Sequence, residues 1–271
     1  MPELPEVETV KNEIAPHFVG RTVKDVNLLW EGIVRRPTAA EFRSRLTGRK
    51  ITGLARRGKY LLASLDNHEW LIFHLKMSGS LLVSPASSEP PRFTRAVLHL
   101  DDGTSIFFRD PRKFGRMWLV KDKESVVGEL GPEPLELGFT PTLLAHLLNK
   151  RKAPLKAVLC DQKVIAGIGN LYADEALFLS KIHPLRAGGS LTPAELKRLH
   201  RAILEVLRKG IKNKGASIEN YVRPDGTPGG AHLEFLVPRK AGAPCCRCGT
   251  PIERITVRGR GTYFCPKCQK V

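Results

Sequence analysis

The stretch CCRCGTPIERITVRGRGTYFCPKC, residues 245–268, decides the fold of the end of the chain. Cys245-x2-Cys248 and Cys265-x2-Cys268 are separated by sixteen residues, the spacing of two knuckles that share one tetrahedral zinc ion with four thiolate ligands. A segment this short has no adequate core without the metal. The stretch therefore predicts a zinc unit that holds one structural Zn²⁺.

The residues between the knuckles predict a β-hairpin that meets nucleic acid. Arg258 and Arg260 flank a glycine, as at the tip of a two-stranded ribbon. Residues 238–271 contain eight Lys or Arg and one acid, so the unit stays near +5 after four thiolates bind zinc. A ribbon with arginines at its tip can lie against a nucleic-acid groove. A solvated hairpin is the alternative, and the charge favours DNA or RNA.

The composition of the whole chain agrees with a polyanion as partner. The 271 residues contain 44 Lys or Arg and 27 Asp or Glu, a formal charge of +17. Nucleic acid and an anionic membrane surface are the two candidates. We find no apolar run of membrane-spanning length and no signal peptide, and expect a cytoplasmic protein. In the cytoplasm, the six cysteines of the chain indicate metal ligands or free thiols rather than disulfides. Cys246 could compete with Cys245 for zinc, and Cys160 suits a buried apolar position.

The chain opens with MPELPEVETV, which has two interpretations. Pro5 and the neighbouring acids suit the first turn of a helix. Alternatively, removal of Met1 before the small residue Pro2 leaves a secondary amine at the chain start, with Glu3 and Glu6 close by. These ten residues alone favour the helix start.

The chain has three successive regions that differ in composition and in hydrophobic pattern. Short β-branched and aromatic segments up to about Val120 predict a β-sandwich or barrel, with a hairpin turn at Asp102-Gly103. Residues 121–140 are rich in Gly, Pro and acids and indicate a linker. A helical region follows, in which Thr192 to Glu195 form a capping box. The helix that begins at this capping box has one apolar face, which consists of Leu196, Leu199, Ile203, Val206, Leu207 and Ile211. Turn-forming residues over 217–242 predict a mobile loop.

Three further motifs could bind phosphate or do chemistry. The turn GIGN, 167–170, can present helix amides to a phosphate, with Lys150, Arg151, Lys152 and Lys156 upstream. Lys59, beside an apolar strand, is either buried with a lowered pKa or part of a solvated strand end. The turn 109–115, RDPRKFG, suits an arm that wedges into a base stack, or a solvated turn.

In this order, MPELPE, RRGKYL, HLKMSGS, DPRKFG, ELGPEPL, GIGN and the terminal cysteine motif resemble the bacterial formamidopyrimidine-DNA glycosylases from Met1 to Gln269. The resemblance implies an α+β multidomain fold. An N-terminal β-sandwich with an N-terminal helix (1–120) and a linker (121–140) would precede a helix-two-turn-helix domain with a base-capping loop (141–237). A four-Cys β-hairpin zinc finger (238–271) would follow, with DNA between the lobes.

The resemblance also implies an activity: a bifunctional DNA glycosylase and abasic-site lyase of base excision repair. Such an enzyme removes 8-oxoguanine and formamidopyrimidines through a Schiff base, then cleaves the strand by β,δ-elimination. Pro2 would be the nucleophile, Glu3 would move protons, and Glu6 would orient the sugar or support the cation. Lys59 would act as acid and base, and Arg260 would grip phosphate during δ-elimination.

The resemblance further implies the DNA contacts. Met77, Arg112 and Phe114 would fill the space left by the extruded base. The other expected contacts are His74, Lys152, Lys156, Asn170 and Arg260. His74 and Met77 could equally be ordinary sheet residues. The flexible stretch Gly215–Gly230 would close over the base. We expect a monomer that works on damaged double-stranded DNA in the cytoplasm, associated with the nucleoid.

Two departures and three alternatives stay open. Phe93-Thr94-Arg95 stands where the family usually has a histidine, and Leu236-Val237-Pro238-Arg239 replaces a stretch like VYGR. At the first place, one DNA contact of the family lacks its histidine. At the second, a tyrosine contact to phosphate is missing or replaced. The alternatives are an endonuclease VIII-type enzyme for oxidised pyrimidines, a non-catalytic zinc-containing DNA-binding protein, and a zinc-dependent RNA or ribosomal factor.

Overall fold

The computed structural model describes residues 1–270, which form two compact units. The first contains Met1–Glu129 and Asn213–His232, and the second contains Leu130–Lys212 and the chain from Leu233 onward. This division differs from the one predicted from the sequence at 213–232, which the prediction includes in the helical domain. This segment belongs to the first unit because it is held by the N-terminal helix, as described below.

The first unit is a β-sandwich with an N-terminal helix, α1 (Leu4–Phe18). One antiparallel sheet has the order β1 (Val23–Leu28), β7 (Thr94–Leu100), β8 (Thr104–Arg109) and β6 (Ser80–Pro85). The other has the order β2 (Val34–Arg36), β9 (Arg116–Val120), β5 (Trp70–His74), β4 (Tyr60–Leu65) and β3 (Ile51–Arg57), with β2 and β9 parallel. Two further helices are α2 (Ala39–Leu46) and α3 (Glu124–Val127).

One apolar core joins both sheets and α1. Val10 and Phe18 of α1, Phe73 of β5 and Phe108 of β8 are all at most 2% exposed and belong to this core. Alternating strand residues point into it, as expected for sheets with one solvated face. Gly103 has a φ of +79°, which the tight turn between β7 and β8 requires, so the hairpin predicted there is confirmed.

The second unit is helical and ends in a hairpin. Its helices are α4 (Pro141–Leu148), α5 (Leu155–Leu159), α6 (Asn170–Ser180) and α7 (Pro193–Lys212), and its strands are β10 (Glu253–Val257) and β11 (Arg260–Phe264). The capping box before α7 is confirmed, because the Thr192 N–H donates to the Glu195 carboxylate at 2.8 Å and the Glu195 N–H donates to Thr192 Oγ1 at 3.3 Å. Among the described residues, no helix is long and apolar enough to span a membrane.

Candidate active site and nucleic-acid interface

The chain start lies at the N-terminal end of α1. Pro2 is buried, whereas Met1 is 46% exposed. Glu3 is the N-cap residue, and its backbone N–H donates to Glu6 Oε2 at 2.7 Å. Removal of Met1 would place the Pro2 amine at this position.

Glu6 connects the chain start to a distant segment. Its side chain is buried, and Oε1 accepts the Ala216 backbone N–H at 2.8 Å. Gly215 beside it has a φ of +77°, and a Cβ there would lie 2.8 Å from the Tyr221 ring and 2.9 Å from Glu6 Cγ. Only glycine therefore permits this approach of the chain to Glu6.

The segment 213–232 is held on α1 by a second set of contacts. Arg223 donates from Nε and Nη2 to the Glu13 carboxylate at 2.8–3.1 Å. Within the segment, the Tyr221 hydroxyl donates to the Lys214 carbonyl at 3.2 Å. The sequence predicted a mobile loop here from its turn-forming residues. Its lack of apolar periodicity gave no indication of these contacts with a helix some 210 residues earlier.

Lys59 lies in the two-residue turn between β3 and β4. The register pairs Arg57 with Tyr60, so Gly58 and Lys59 form the turn, and Gly58 has a φ of +55°. Lys59 is only 4% exposed. Of the two alternatives, the structure therefore supports a buried lysine and not a solvated strand end. Arg56 fixes the turn, because it donates to Glu8 of α1 at 2.7 Å and to the Gly58 carbonyl at 3.0 Å.

His74 at the end of β5 is a neutral, buried side chain. Burial, followed by the positive charges of Lys76 and Lys59, lowers the pKa of His74 to about 3. Its ring packs edge-on against Tyr60, with centroids 4.5 Å apart, and Nδ1 accepts the Lys76 N–H at 2.9 Å. A neutral imidazole that accepts at Nδ1 carries its proton on Nε2. The remaining polar atom of the ring is therefore a donor.

Met77, Arg112 and Phe114 meet at one exposed site, as the wedge prediction requires. Arg112 Nη1 lies 3.9 Å from Met77 Sδ, and its guanidinium carbon lies 4.8 Å from the Phe114 ring centroid. Met77 and Phe114 are 40% and 42% exposed. The three side chains form a single apolar and cationic projection.

Asp110 supports this projection from behind, although it is not among the site residues predicted from the sequence. Its buried carboxylate accepts the Ser78 hydroxyl at 2.5 Å, the Gly115 N–H at 2.6 Å and the Arg112 N–H at 3.2 Å. The Asp-Pro-Arg sequence carried the signal, since an Asp side chain commonly accepts the N–H two residues on.

In the second unit, Lys156 differs from the expected phosphate contact. Its side chain is fully buried, and Nζ donates to the Asn170 carbonyl at 2.8 Å and to the Asp174 carboxylate. Asp174 also accepts from Arg239 Nη1 at 2.9 Å and from the Tyr263 N–H at 3.4 Å. A buried cation needs such a partner, so Lys156 acts inside the unit. Lys152 is exposed, as a phosphate contact requires.

Asn170 and Arg260 are joined through the backbone of the hairpin. Asn170 is the first residue of α6, and Gly169 takes the cap position. The Asn170 side-chain amide donates to the Gly261 carbonyl at 3.0 Å. Arg260 is exposed at the start of β11 and pairs with Val257, which places Arg258 and Gly259 in the turn, so the predicted hairpin tip is confirmed.

The four predicted cysteines form a site that fits zinc. Their sulfur atoms all lie within 4.8 Å of one another, with Cys245–Cys268, Cys248–Cys265 and Cys248–Cys268 separations of 3.9, 3.5 and 3.5 Å. A tetrahedral site with Zn–S bonds of about 2.3 Å requires S–S distances of roughly 3.8 Å. Cys246 lies outside this cluster, and its thiol donates to the Leu236 carbonyl at 3.4 Å.

Three family models match successive regions of the chain, in the order sandwich, helical region and cysteine hairpin. The formamidopyrimidine-DNA glycosylase N-terminal domain matches residues 1–117, and the formamidopyrimidine-DNA glycosylase H2TH domain matches 130–222. A zinc finger found in FPG and IleRS matches 242–271. The expected order of sandwich, helix-two-turn-helix module and four-Cys finger is thereby confirmed.

Relatives and solved structures are similar over the whole chain. A formamidopyrimidine-DNA glycosylase of Chloroflexus aurantiacus is 47% identical, covering 99% of this chain and 98% of that protein. One of Geobacillus kaustophilus is 42% identical with full coverage of both. MutM (Fpg) from Thermus thermophilus has a TM-score of 0.89 at 40% identity, covering 99% of this chain and 98% of that chain. Lactococcus lactis Fpg in complex with DNA that contains an abasic site has a TM-score of 0.92 at 34% identity, covering 99% of this chain and 100% of that chain.

Proposed function

The chain belongs to the formamidopyrimidine-DNA glycosylase family, and we propose that it removes oxidised purines from double-stranded DNA and then cleaves the strand at the abasic site. The observation that carries the proposal is the buried N-terminal Pro2 at the start of α1, beside the buried acids Glu3 and Glu6. Carboxylates are rarely buried in a protein core and cluster at functional sites. Two buried carboxylates beside a buried chain start therefore support an active site.

The chemistry follows from a secondary amine at Pro2. Its lone pair forms a bond to C1′ of the damaged nucleotide, and the bond from C1′ to the base breaks, so that the base leaves with the electron pair and takes up a proton. Opening of the sugar gives an iminium at C1′, with Glu3 moving the ring-oxygen proton. The iminium accepts electrons when a C2′ proton is removed, and the 3′ phosphate then leaves. Lys59 is the acid and base for base release.

Glu6 is assigned a positioning role. Its two carboxylate oxygens accept the backbone N–H groups of Glu3 and Ala216. This arrangement supports a side chain that fixes the chain start relative to the segment 213–232, which would cover the extruded base. It refines the expectation that Glu6 orients the sugar or supports the cation.

The remaining site residues bind and distort the DNA. The extruded base leaves a gap that Met77, Arg112 and Phe114 fill, because their joint projection is exposed and partly apolar. Four side chains offer donors to phosphates: His74 through Nε2, Lys152, Asn170 and Arg260. Lys156 supports Asn170 from inside the unit. The zinc ion, held by Cys245, Cys248, Cys265 and Cys268, supplies a rigid frame for the Arg260 hairpin.

Comparison of two lesions tests this function. Duplexes containing 8-oxoguanine opposite cytosine, thymine glycol opposite adenine, or no lesion are incubated with excess protein, and base release and strand breaks are measured separately. We expect release and cleavage mainly at 8-oxoguanine. Preference for thymine glycol would indicate the endonuclease VIII type. Binding without release would indicate a non-catalytic protein. In a parallel binding measurement with single-stranded RNA, a preference for the RNA would indicate an RNA factor. As an enzyme of chromosomal DNA it would work as a monomer in the cytoplasm, at the nucleoid.

A further inference from the structure

The outer face of α7 carries a regular row of charges. Lys197 and Arg201 form one pair of cations, Arg208 and Lys212 form a second, and Glu205 lies between the pairs. All five residues are exposed. Because an α-helix turns by about 100° and rises by about 1.5 Å per residue, the four cations fall within an arc of roughly 60°, and the row spans about 22 Å. These five residues are called the α7 row below.

The opposite face of α7 sets the direction of the row. Leu199, Ile203 and Leu207 are at most 1% exposed, and this face packs against α4 and α6. Gly210 lies so close to α6 that a Cβ on it would be 2.6 Å from the Tyr172 ring. The α7 row therefore points away from α4 and α6, toward solvent.

The charges of the α7 row are not neutralised inside the protein. Within residues 1–270, no member of the row forms an ion pair, although Lys209 of the same helix pairs with Glu234 at 3.0 Å. The two cations of each pair are four residues apart, a spacing at which like charges destabilise a helix. A ligand of opposite charge would remove this repulsion.

The order of the charges favours a protein over nucleic acid as the ligand. Glu205 lies near the centre of the row, where the phosphate backbone of a nucleic acid would meet a carboxylate. A polyanion of uniform charge cannot avoid this repulsion, whereas a protein can place a cation there. The complementary pattern is two acids, one cation and two acids along one face of a helix.

The beginning of the row adjoins a pocket of about 300 Å³. Leu196, which directly precedes Lys197, lines this pocket together with the apolar residues Ala145, Leu148 and Leu191. The pocket has room for one large apolar side chain, whose burial adds affinity and fixes the register of a bound peptide. A phosphodiester chain has no such side chain to offer.

We propose that the α7 row and the adjoining pocket bind an acidic helical segment of a partner protein, which places one apolar side chain in the pocket. A second helix can present acids one turn apart, which is the spacing of the cations in each pair. The ionic contacts are exposed, so we expect a transient complex that is sensitive to salt. The site goes beyond the proposed function, because it shares no residue with the site assigned to excision.

Fluorescence anisotropy with a designed peptide tests the site. The probe is a fluorescein-labelled, alanine-based helix that copies the charge positions of the α7 row with opposite sign and carries a phenylalanine at each end. The control peptide has the same composition in scrambled order. We expect the probe to bind about tenfold more tightly than the control at low salt, and to lose affinity as the salt concentration rises.

Charge reversal and filling of the pocket separate the two parts of the site. Arg201→Glu combined with Arg208→Glu should abolish binding of the probe. Lys24→Glu combined with Lys240→Glu makes an equal change of charge at exposed positions outside α7 and should bind the probe nearly as the wild type does. Ala145→Leu fills the pocket, so the probe should bind this variant no more tightly than a peptide with alanine at both ends. Thermal melting checks that each variant is folded.

Three results would overturn the site: no binding of the probe, equal binding of the probe and the scrambled peptide, or unchanged binding after reversal of Arg201 and Arg208. A loss of duplex DNA affinity in that double variant, beyond the loss in the charge-matched control, would assign the row to DNA and also overturn the proposal. Excision of 8-oxoguanine bears only on the proposed function, so an inactive protein that binds the probe as expected keeps the site.

Discussion

The carboxylate of Glu6 accepts the backbone N–H of Ala216 at 2.8 Å, although 210 residues separate them in the chain. Its other oxygen accepts the Glu3 N–H at 2.7 Å. One buried side chain therefore sets the position of the chain start and of the segment 213–232 together. This relationship couples the proposed nucleophile to the segment that would cover its substrate.

Replacement of Glu6 by Gln should loosen that segment. Glutamine has one acceptor oxygen and turns an NH₂ toward the second N–H, which leaves a buried donor unsatisfied at a cost of roughly 1–3 kcal/mol. We expect faster hydrogen exchange of the Ala216 amide and a lower unfolding free energy in urea. Glu89→Gln, on an exposed loop, is the control and should change neither quantity. Equal exchange in Glu6→Gln and wild type would contradict the positioning role.

Lys59→Ala should separate base release from strand cleavage. The Pro2 iminium already supplies the electron sink at a preformed abasic site, so only base release depends strongly on the lysine. We expect a larger rate loss on 8-oxoguanine than on abasic DNA, in single-turnover measurements. General acid–base catalysis typically contributes about 10²- to 10⁴-fold, which sets the scale of that loss. Equal losses on both substrates would mean that Lys59 holds the fold or the DNA.

Lys156→Met should destabilise the protein, because it leaves Asp174 buried with one cation fewer. Breaking a buried ion pair from one side costs about 3–5 kcal/mol, whereas replacing both partners is often nearly neutral. Unfolding in urea should therefore show partial recovery in the double variant Lys156→Met with Asp174→Asn. Lys152→Met, at an exposed position, should leave stability unchanged and lower the salt slope of DNA binding. The reverse pattern, with normal stability and a lower slope in Lys156→Met, would restore Lys156 as a direct phosphate contact.

Arg260→Ala should weaken DNA binding equally in all sequence contexts. Arg260 is exposed at the hairpin tip, and a repair enzyme must read lesions in any sequence, so a phosphate contact is expected. The salt slope should fall by about 0.9 on two duplexes of different flanking sequence. Removal of zinc by a chelator should produce at least the same loss, since the hairpin loses its frame. A loss confined to one context would instead indicate contact with a base edge.

Local signals in the sequence sufficed for the zinc site, the Asp102-Gly103 turn and the start of α7, because each depends on residues close together in the chain. The parallel pairing of β2 with β9 and the contact of Arg223 with Glu13 could not be predicted, since both join residues far apart. Lys156 is predicted to contact phosphate because it lies in a basic stretch upstream of GIGN and matches a phosphate contact of the family that the chain resembles. Its partner Asp174 lies one helix later, and only the packing of α5 with α6 brings them together.

Borohydride trapping on a duplex containing 8-oxoguanine, with mass spectrometry of the linked peptide, tests the central claim most directly. The reductant converts an iminium between protein and sugar into a stable amine, and the peptide identifies the nitrogen. We expect one adduct, at the N-terminal Pro2 of protein lacking Met1, and none from protein that retains Met1, although the latter should still bind an abasic-site analogue. An adduct at Lys59, or full trapping by the protein with a blocked terminus, would contradict the assignment of Pro2 as nucleophile.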